Sequence, residues 1–151
     1  MSDIQRTASA VWNGSMKNGW GKMSTRSGTL QEAAFTSPSR FESGKGTNPE
    51  ELIAAAHAAC FSMTLSKLLG DLKRTPRDVH TKATLTLAWR VDHWKISKVH
   101  LDCEVSGDQL DVELLTRIAN QAKEQCPVSV LLEPGLEELT LDIRLKGFSL
   151  K

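Results

Sequence analysis

Hydrophobic positions along the chain change their period several times, and each change marks an element. Between residues 9 and 35, the short runs SAVW, KMST and TLQEAAF are separated by the turn-rich NGSMKNGWG and RSG, which predicts a β-meander. Residues 36–48, TSPSRFESGKGTN, are rich in Ser, Gly and Pro and read as a loop carrying Arg40-Phe41-Glu42 and Lys45; loops of this length are commonly functional. NPEELIAAAHAACFSMTL then opens as a helix, with Asn48 as N-cap, Pro49 at N1 and Glu51 at N3. Glu50 and Glu51 suit the positive end of the helix dipole. The helix is predicted to run to Leu69, with Gly70 as its C-cap. Its middle, LIAAAHAACF, is apolar around the whole circumference, and a helix of that kind must be enclosed on every side. A domain of 151 residues hardly surrounds such a helix, and Ala54, Ala55, Ala56, Ala58 and Ala59 permit close backbone approach. A second copy of the chain is therefore expected to supply part of the cover.

After Thr75-Pro76 the period becomes two. Val79, Thr81, Ala83, Leu85, Leu87 and Trp89 alternate with polar positions, and after a turn near VDH so do Val99, Leu101, Cys103 and Val105. The pair predicts an antiparallel hairpin with one covered face. DVELLTRIANQAKEQ places Val112, Leu115, Ile118, Ala119 and Ala122 on one stripe of an amphipathic helix ending at Cys126-Pro127, and Pro127 is positioned to open a short helical turn. A last strand, ELTLDIRLKG, turns Leu139, Leu141, Ile143 and Leu145 inward.

Composition adds little beyond an ordinary globular chain read as a single domain over 1–151: 40% hydrophobic residues, 25% charged and a net charge of +1. There is no basic block, and Trp12, Trp20, Trp89 and Trp94 are not interleaved with Lys and Arg, so no nucleic-acid partner is expected. No apolar window long enough to cross a bilayer and no leader-like segment stand out, so no membrane partner and a cytoplasmic location are the expectations. Three cysteines form neither a secreted disulfide framework nor a paired zinc site, so each thiol is judged by its surroundings.

Cys103, between Leu101 and Val105 on the apolar face of a strand, reads as core. Cys60 has His57 one turn earlier, and the preceding loop carries Arg40, the cation that would offset burial and favour a thiolate. Glu50 is the carboxylate placed to hold the Arg40 fork, with Glu51 open for the same role. Cys126, at the junction with Pro127, could cap the turn that follows, where N–H groups favour a thiolate. A buried thiol beside an arginine and a second thiol at a helix end suggest a peroxidatic and a resolving cysteine. His57-x-x-Cys60 invites a metal, but two ligands do not make a site, and His57 reads as a hydrogen-bonded core histidine near the thiol.

SRFESGKGTNPEELIAAAHAACFSMTLSKLLG and EQCPVSVLL resemble the two signature segments of the OsmC/Ohr family of thiol peroxidases, the first closest to the OsmC branch, and the likeness runs the length of the chain. The resemblance implies an α+β fold in which antiparallel sheets wrap long apolar helices in an intertwined homodimer, with the active sites at its interface. It implies reduction of organic hydroperoxides in preference to hydrogen peroxide, no bound cofactor, and recycling by a dithiol such as a dihydrolipoyl group, free or on a lipoylated protein. By the same resemblance Cys60 is peroxidatic, Cys126 resolving, Arg40 the activating arginine and Glu50 its orienting carboxylate. A dimeric redox sensor and a lipid-like ligand-binding protein are the alternatives. The segment EPGLEEL has no counterpart in this reading.

Overall fold

The computed structural model describes residues 2–147. The chain divides between Leu52 and Ile53 into two compact units.

In the first unit, β1 (Ala8–Asn13), β2 (Trp20–Thr25) and β3 (Ala33–Thr36) form an antiparallel sheet in chain order. The third strand starts later than predicted because Glu32 takes a left-handed conformation, φ 48°, with its N–H bonded to the Ser24 hydroxyl at 2.9 Å. Trp12, Gly21 and Phe35 form one row across the three strands. The Phe35 ring covers Gly21, where any Cβ would overlap it, and stands 5.5 Å from the Trp12 ring. Glycine here makes room for the aromatic pair.

The predicted loop after β3 contains a helical turn, α1 (Ser37–Phe41). Thr36 accepts from the Ser39 N–H at 3.1 Å while the Ser39 hydroxyl accepts from the Thr36 N–H at 2.9 Å, a reciprocal cap that closes the turn with Pro38 in its first positions. Arg40 therefore projects from a capped turn rather than from a free loop.

The unit boundary falls within α2 (Pro49–Asp71). Asn48 caps it as expected, accepting from the Glu51 N–H at 2.8 Å. Its end differs from expectation: Gly70 is helical, and Lys73 takes the left-handed position, φ 57°, with Arg74 N–H bonded to the Leu69 carbonyl at 2.9 Å and Lys73 N–H to that of Gly70 at 2.8 Å. This is a Schellman closure with lysine where glycine is usual.

At 23 residues α2 is also long and apolar enough to cross a membrane, contrary to the expectation that no window is. Isolated Ser and Thr residues interrupt its apolar runs without lowering the average enough. Its fourfold-spaced residues His57, Phe61, Leu65 and Leu69 are fully buried in the second unit. That stripe is core of a globular unit and is committed to protein contacts.

The second unit holds β4 (Asp78–Arg90), β5 (His93–Ser106), α3 (Val112–Gln125), α4 (Pro127–Leu132), a 3₁₀ turn at Glu133–Gly135 and β6 (Glu138–Leu145). The β4–β5 hairpin is antiparallel as predicted, but β6 pairs parallel to β5, so this sheet is mixed where antiparallel pairing was expected. The helical crossover through α3 and α4 gives β6 the reach to return in the same direction. Val99, Leu101, Cys103 and Val105 of β5 join Phe61, Leu65 and Leu69 of α2 and Leu115, Ile118, Ala119 and Ala122 of α3 in one buried cluster, with the predicted face of β6 packed on it.

Two inward assignments fail at element ends. Val112, the first residue of α3, is 64% exposed. Trp89 lies beyond a register shift between Thr86 and Leu87, is 55% exposed, and packs edge-on against Trp94 at 5.4 Å. Both stand past the reach of the cluster that covers their stripes.

Candidate active site

In the first unit, the position of Glu50 in the opening turn of α2 lets it meet α1. Arg40 Nε donates to both carboxylate oxygens of Glu50 at 3.2 Å, and Nη2 donates to Oε1 at 2.7 Å. Glu50 keeps only 12% of its side-chain exposure and Arg40 32%, so the pair is partly shielded and its geometry is that of a held fork. Glu51, the alternative carboxylate, accepts instead from the Thr47 hydroxyl at 2.8 Å. The Arg40 guanidinium also lies 5.2 Å from the Phe41 ring. Arg40 and Pro49 line a cavity of about 200 Å³ whose other walls include Trp12, Met16 and Phe35. A fixed cation at the edge of an apolar cavity suits a ligand with a polar head and an alkyl body.

In the second unit, all three cysteines are free thiols. Cys60, half-buried on α2, has the Cys126 thiol and the Val128 N–H as neighbours of its sulfur. Pro127 occupies the first turn of α4, so Val128 carries one of the N–H groups that a helix start leaves unpaired. Cys126 is the N-cap residue but makes no side-chain capping bond. The N–H groups that sequence reasoning directs to Cys126 make no capping bond to it, and that of Val128 lies by the sulfur of Cys60.

Burial pushes the Cys60 thiol up from its ordinary range, the Val128 N–H pulls it down, and the neighbouring Cys126 thiol pushes it up again by hydrogen bonding and charge. The Thr64 hydroxyl makes a smaller contribution toward the thiolate. Its donation to the Cys60 carbonyl at 2.9 Å commits the single proton elsewhere. The net effect is a protonated thiol, and a thiol in this setting becomes a nucleophile when positive charge offsets its burial.

His57, one turn before Cys60, is fully buried, and its Nε2 stands 2.7 Å from the Ser129 hydroxyl on α4. The core histidine is expected from the sequence; its partner, lying far along the chain, is not. Burial lowers its pKa, keeping the ring neutral. Cys103 is fully buried and accepts from the Thr81 hydroxyl at 3.4 Å, and burial pushes its thiol up. That is the packing role read from its place on the strand. Among the described residues no group of three or more His, Cys, Asp or Glu is arranged to hold a metal ion.

Residues 42–137 match the family described as OsmC-like protein. The chain is 43% identical to peroxiredoxin OsmC of Escherichia coli over 144 residues, covering 95% of this chain and 99% of the relative. The chain belongs to the OsmC-like family.

A Staphylococcus aureus organic hydroperoxide resistance protein-like relative of this OsmC-like protein is 34% identical over 89 residues, covering 57% of this chain and 61% of that one. The fold is shared with the OsmC-like protein from Mycoplasma pneumoniae, with a TM-score of 0.75 at 13% identity, covering 97% of this chain and 100% of that one. It is also shared with the organic hydroperoxide resistance protein OhrB of Bacillus subtilis, with a TM-score of 0.66 at 23% identity, covering 91% and 98%. At these identities the structural likeness is one of fold, and the α+β architecture is the family's. The family match takes in Glu50, Cys60 and Cys126, while Arg40 falls just before its first residue.

Proposed function

We propose that this OsmC-like protein is a thiol peroxidase that reduces organic hydroperoxides, and hydrogen peroxide more weakly, to alcohols in oxidative stress defence. The observation that carries the proposal is the pairing of the Cys60 thiol on α2 with the Cys126 thiol at the start of α4, with the Val128 N–H beside Cys60. Its kinship with a peroxiredoxin and with an organic hydroperoxide resistance protein-like relative supports a peroxide-related redox role.

The Cys60 thiolate attacks one peroxide oxygen, the O–O bond breaks, and an alkoxide leaves that takes a proton to become the alcohol. Cys60 is now a sulfenic acid. Arg40, oriented by Glu50, supplies the positive charge that favours the thiolate and steadies the charge developing on the departing oxygen. The Cys126 thiol then displaces water from the sulfenic acid to give the Cys60–Cys126 disulfide. A dithiol, of which a dihydrolipoyl group is the candidate, exchanges with that disulfide and restores both thiols. The protein needs no bound cofactor for these steps.

The homodimer belongs to the same proposal. Only one stripe of α2 is buried by its own chain, and Ala55, Ala56, Ala59 and Met63 remain exposed, leaving an apolar face that a second copy would cover.

The test is multiple-turnover consumption of an alkyl hydroperoxide with a lipoyl dithiol as reductant. Cys60→Ser is expected to abolish turnover, and Cys126→Ser to stall the protein as sulfenic or more oxidised Cys60. Wild-type turnover by Cys60→Ser would overturn the peroxidase and favour a binding protein. A single disulfide-forming event without turnover would favour a redox sensor.

A further inference from the structure

The two thiols are not the only link between the elements that carry them. His57 precedes Cys60 by one helical turn on α2, and Ser129 of α4 follows Cys126, the N-cap residue of that helix, by the same interval. On α2, residues so spaced share a helix face. The Cys60–Cys126 contact and the His57–Ser129 bond of 2.7 Å are thus two rungs between the same pair of elements. Both members of the second rung are fully buried, so water does not compete for the bond.

Stability alone does not explain a histidine at this place. The stripe His57, Phe61, Leu65, Leu69 is otherwise apolar. The other ring nitrogen, Nδ1, is buried without a hydrogen-bond partner. An unpaired buried polar atom costs folding free energy, whereas an apolar pair of similar shape would not. The position therefore retains a polar group that the core would be better without.

Thiol pairs depend on placement. Sulfenic acid and thiol condense only when the sulfurs approach in the narrow geometry of a disulfide. Cys126 stands at the junction of α3 with a short helix of six residues, Pro127–Leu132, so its place against Cys60 depends on how that junction is held.

We propose that His57 and Ser129 are positioning residues for the thiol pair: their hydrogen bond clamps α4 against α2 so that Cys126 stands ready to capture oxidised Cys60. This rests on the roles proposed above for the two cysteines. The clamp governs a partition at the sulfenic acid. In one branch the Cys126 thiol displaces water, giving the disulfide. In the other a second hydroperoxide transfers an oxygen, giving the sulfinic acid and an alcohol. A clamped Cys126 favours the first branch.

The test uses the full-length protein and two variants. Ser129→Ala removes one partner and leaves His57 Nε2 unpaired. The double variant His57→Leu with Ser129→Ala removes both polar groups and keeps the core apolar, and circular dichroism confirms its fold. The first measurement equilibrates each protein with dithiothreitol redox mixtures after oxidation by diamide, a probe that needs no hydroperoxide chemistry. Both variants are expected to hold the Cys60–Cys126 disulfide at least fivefold less firmly than wild type. The second measurement reads the sulfinic fraction of Cys60 by intact mass after graded tert-butyl hydroperoxide, expected to rise at least fivefold, while dimedone trapping in a Cys126→Ser background shows the first oxidation unchanged within about twofold. His57→Gln, whose amide can reach Ser129, is expected to restore most of the wild-type partition.

An unchanged dithiothreitol equilibrium in both variants overturns the clamp, as does failure of diamide to form the wild-type Cys60–Cys126 disulfide. Wild-type protein that forms the disulfide with diamide but not with hydroperoxide overturns the peroxidase instead, and leaves the clamp to be decided by the dithiothreitol equilibrium.

Discussion

Glu50 engages Arg40 through both carboxylate oxygens, so a neutral amide in its place would lose the charge-assisted half of the fork while keeping its size. Hydrogen bonds to charged groups contribute about 1.5–3 kcal/mol, so Glu50→Gln is expected to lower kcat/KM for an alkyl hydroperoxide about ten- to hundredfold, with the alkylation rate of Cys60 falling in parallel. Wild-type values would remove Glu50 from the proposed role. His57 gives a prediction in pH. Its pKa is lowered by burial, so the folded state resists the proton that the unfolded chain accepts. The stability tied to a neutral His57 is fully present above about pH 6.5 and is lost as pH falls below it, by at most about 1.4 kcal/mol per pH unit. Urea unfolding between pH 7 and pH 5 should show a steeper decline for wild type than for His57→Gln; parallel declines would contradict it. Cys60, Cys126, Arg40 and Glu50 were all recognisable as residue types in suggestive company. The partners that came from far along the chain, Val128 for Cys60 and Ser129 for His57, were not. Such contacts carry no local signature, because the residues meet only after the helices are placed.

Elements were most legible where a strong periodicity was bounded by cap or turn chemistry. Asn48 and Asp111 cap their helices through bonds to the third residue beyond each, at 2.8 Å in both cases. The α1 turn reads as loop because five residues show no period, although Thr36 and Ser39 stand at capping-box spacing. Gly70 marks the end of α2 by residue type, whereas the closing conformation falls on Lys73. The β4–β5 turn offers the clearest test of local strain. Val91 has φ 51° and is 97% exposed, a conformation that costs a residue with a Cβ roughly 1–2 kcal/mol and that is an outlier for a β-branched side chain. With no packing to lose, Val91→Gly is expected to raise unfolding free energy by about 1 kcal/mol in urea titrations; a loss of stability would show that the strain is compensated elsewhere.

For the whole molecule, the apolar circumference of α2 remains the dominant fact. Its own chain covers the stripe of His57, Phe61, Leu65 and Leu69, and Ala59 stands exposed on another face. If a second copy covers that face, Ala59→Arg places an unpaired charge in an apolar contact, a cost of several kcal/mol. Sedimentation at micromolar concentration should then show a dimer for wild type and a monomer for the variant; a wild-type monomer would defeat the enclosure reasoning. The sequence by itself determined the hairpin, the two long helices, the Asn48 cap and the residues able to do thiol chemistry, because periodicity, capping and residue chemistry are local properties. The tertiary structure alone decided that β6 runs parallel to β5, that Glu50 rather than Glu51 holds Arg40, that the start of α4 lies beside Cys60, and that His57 bonds Ser129. Each of those outcomes depends on how distant segments are brought together, and packing sets that arrangement through contacts that no single stretch of the chain encodes.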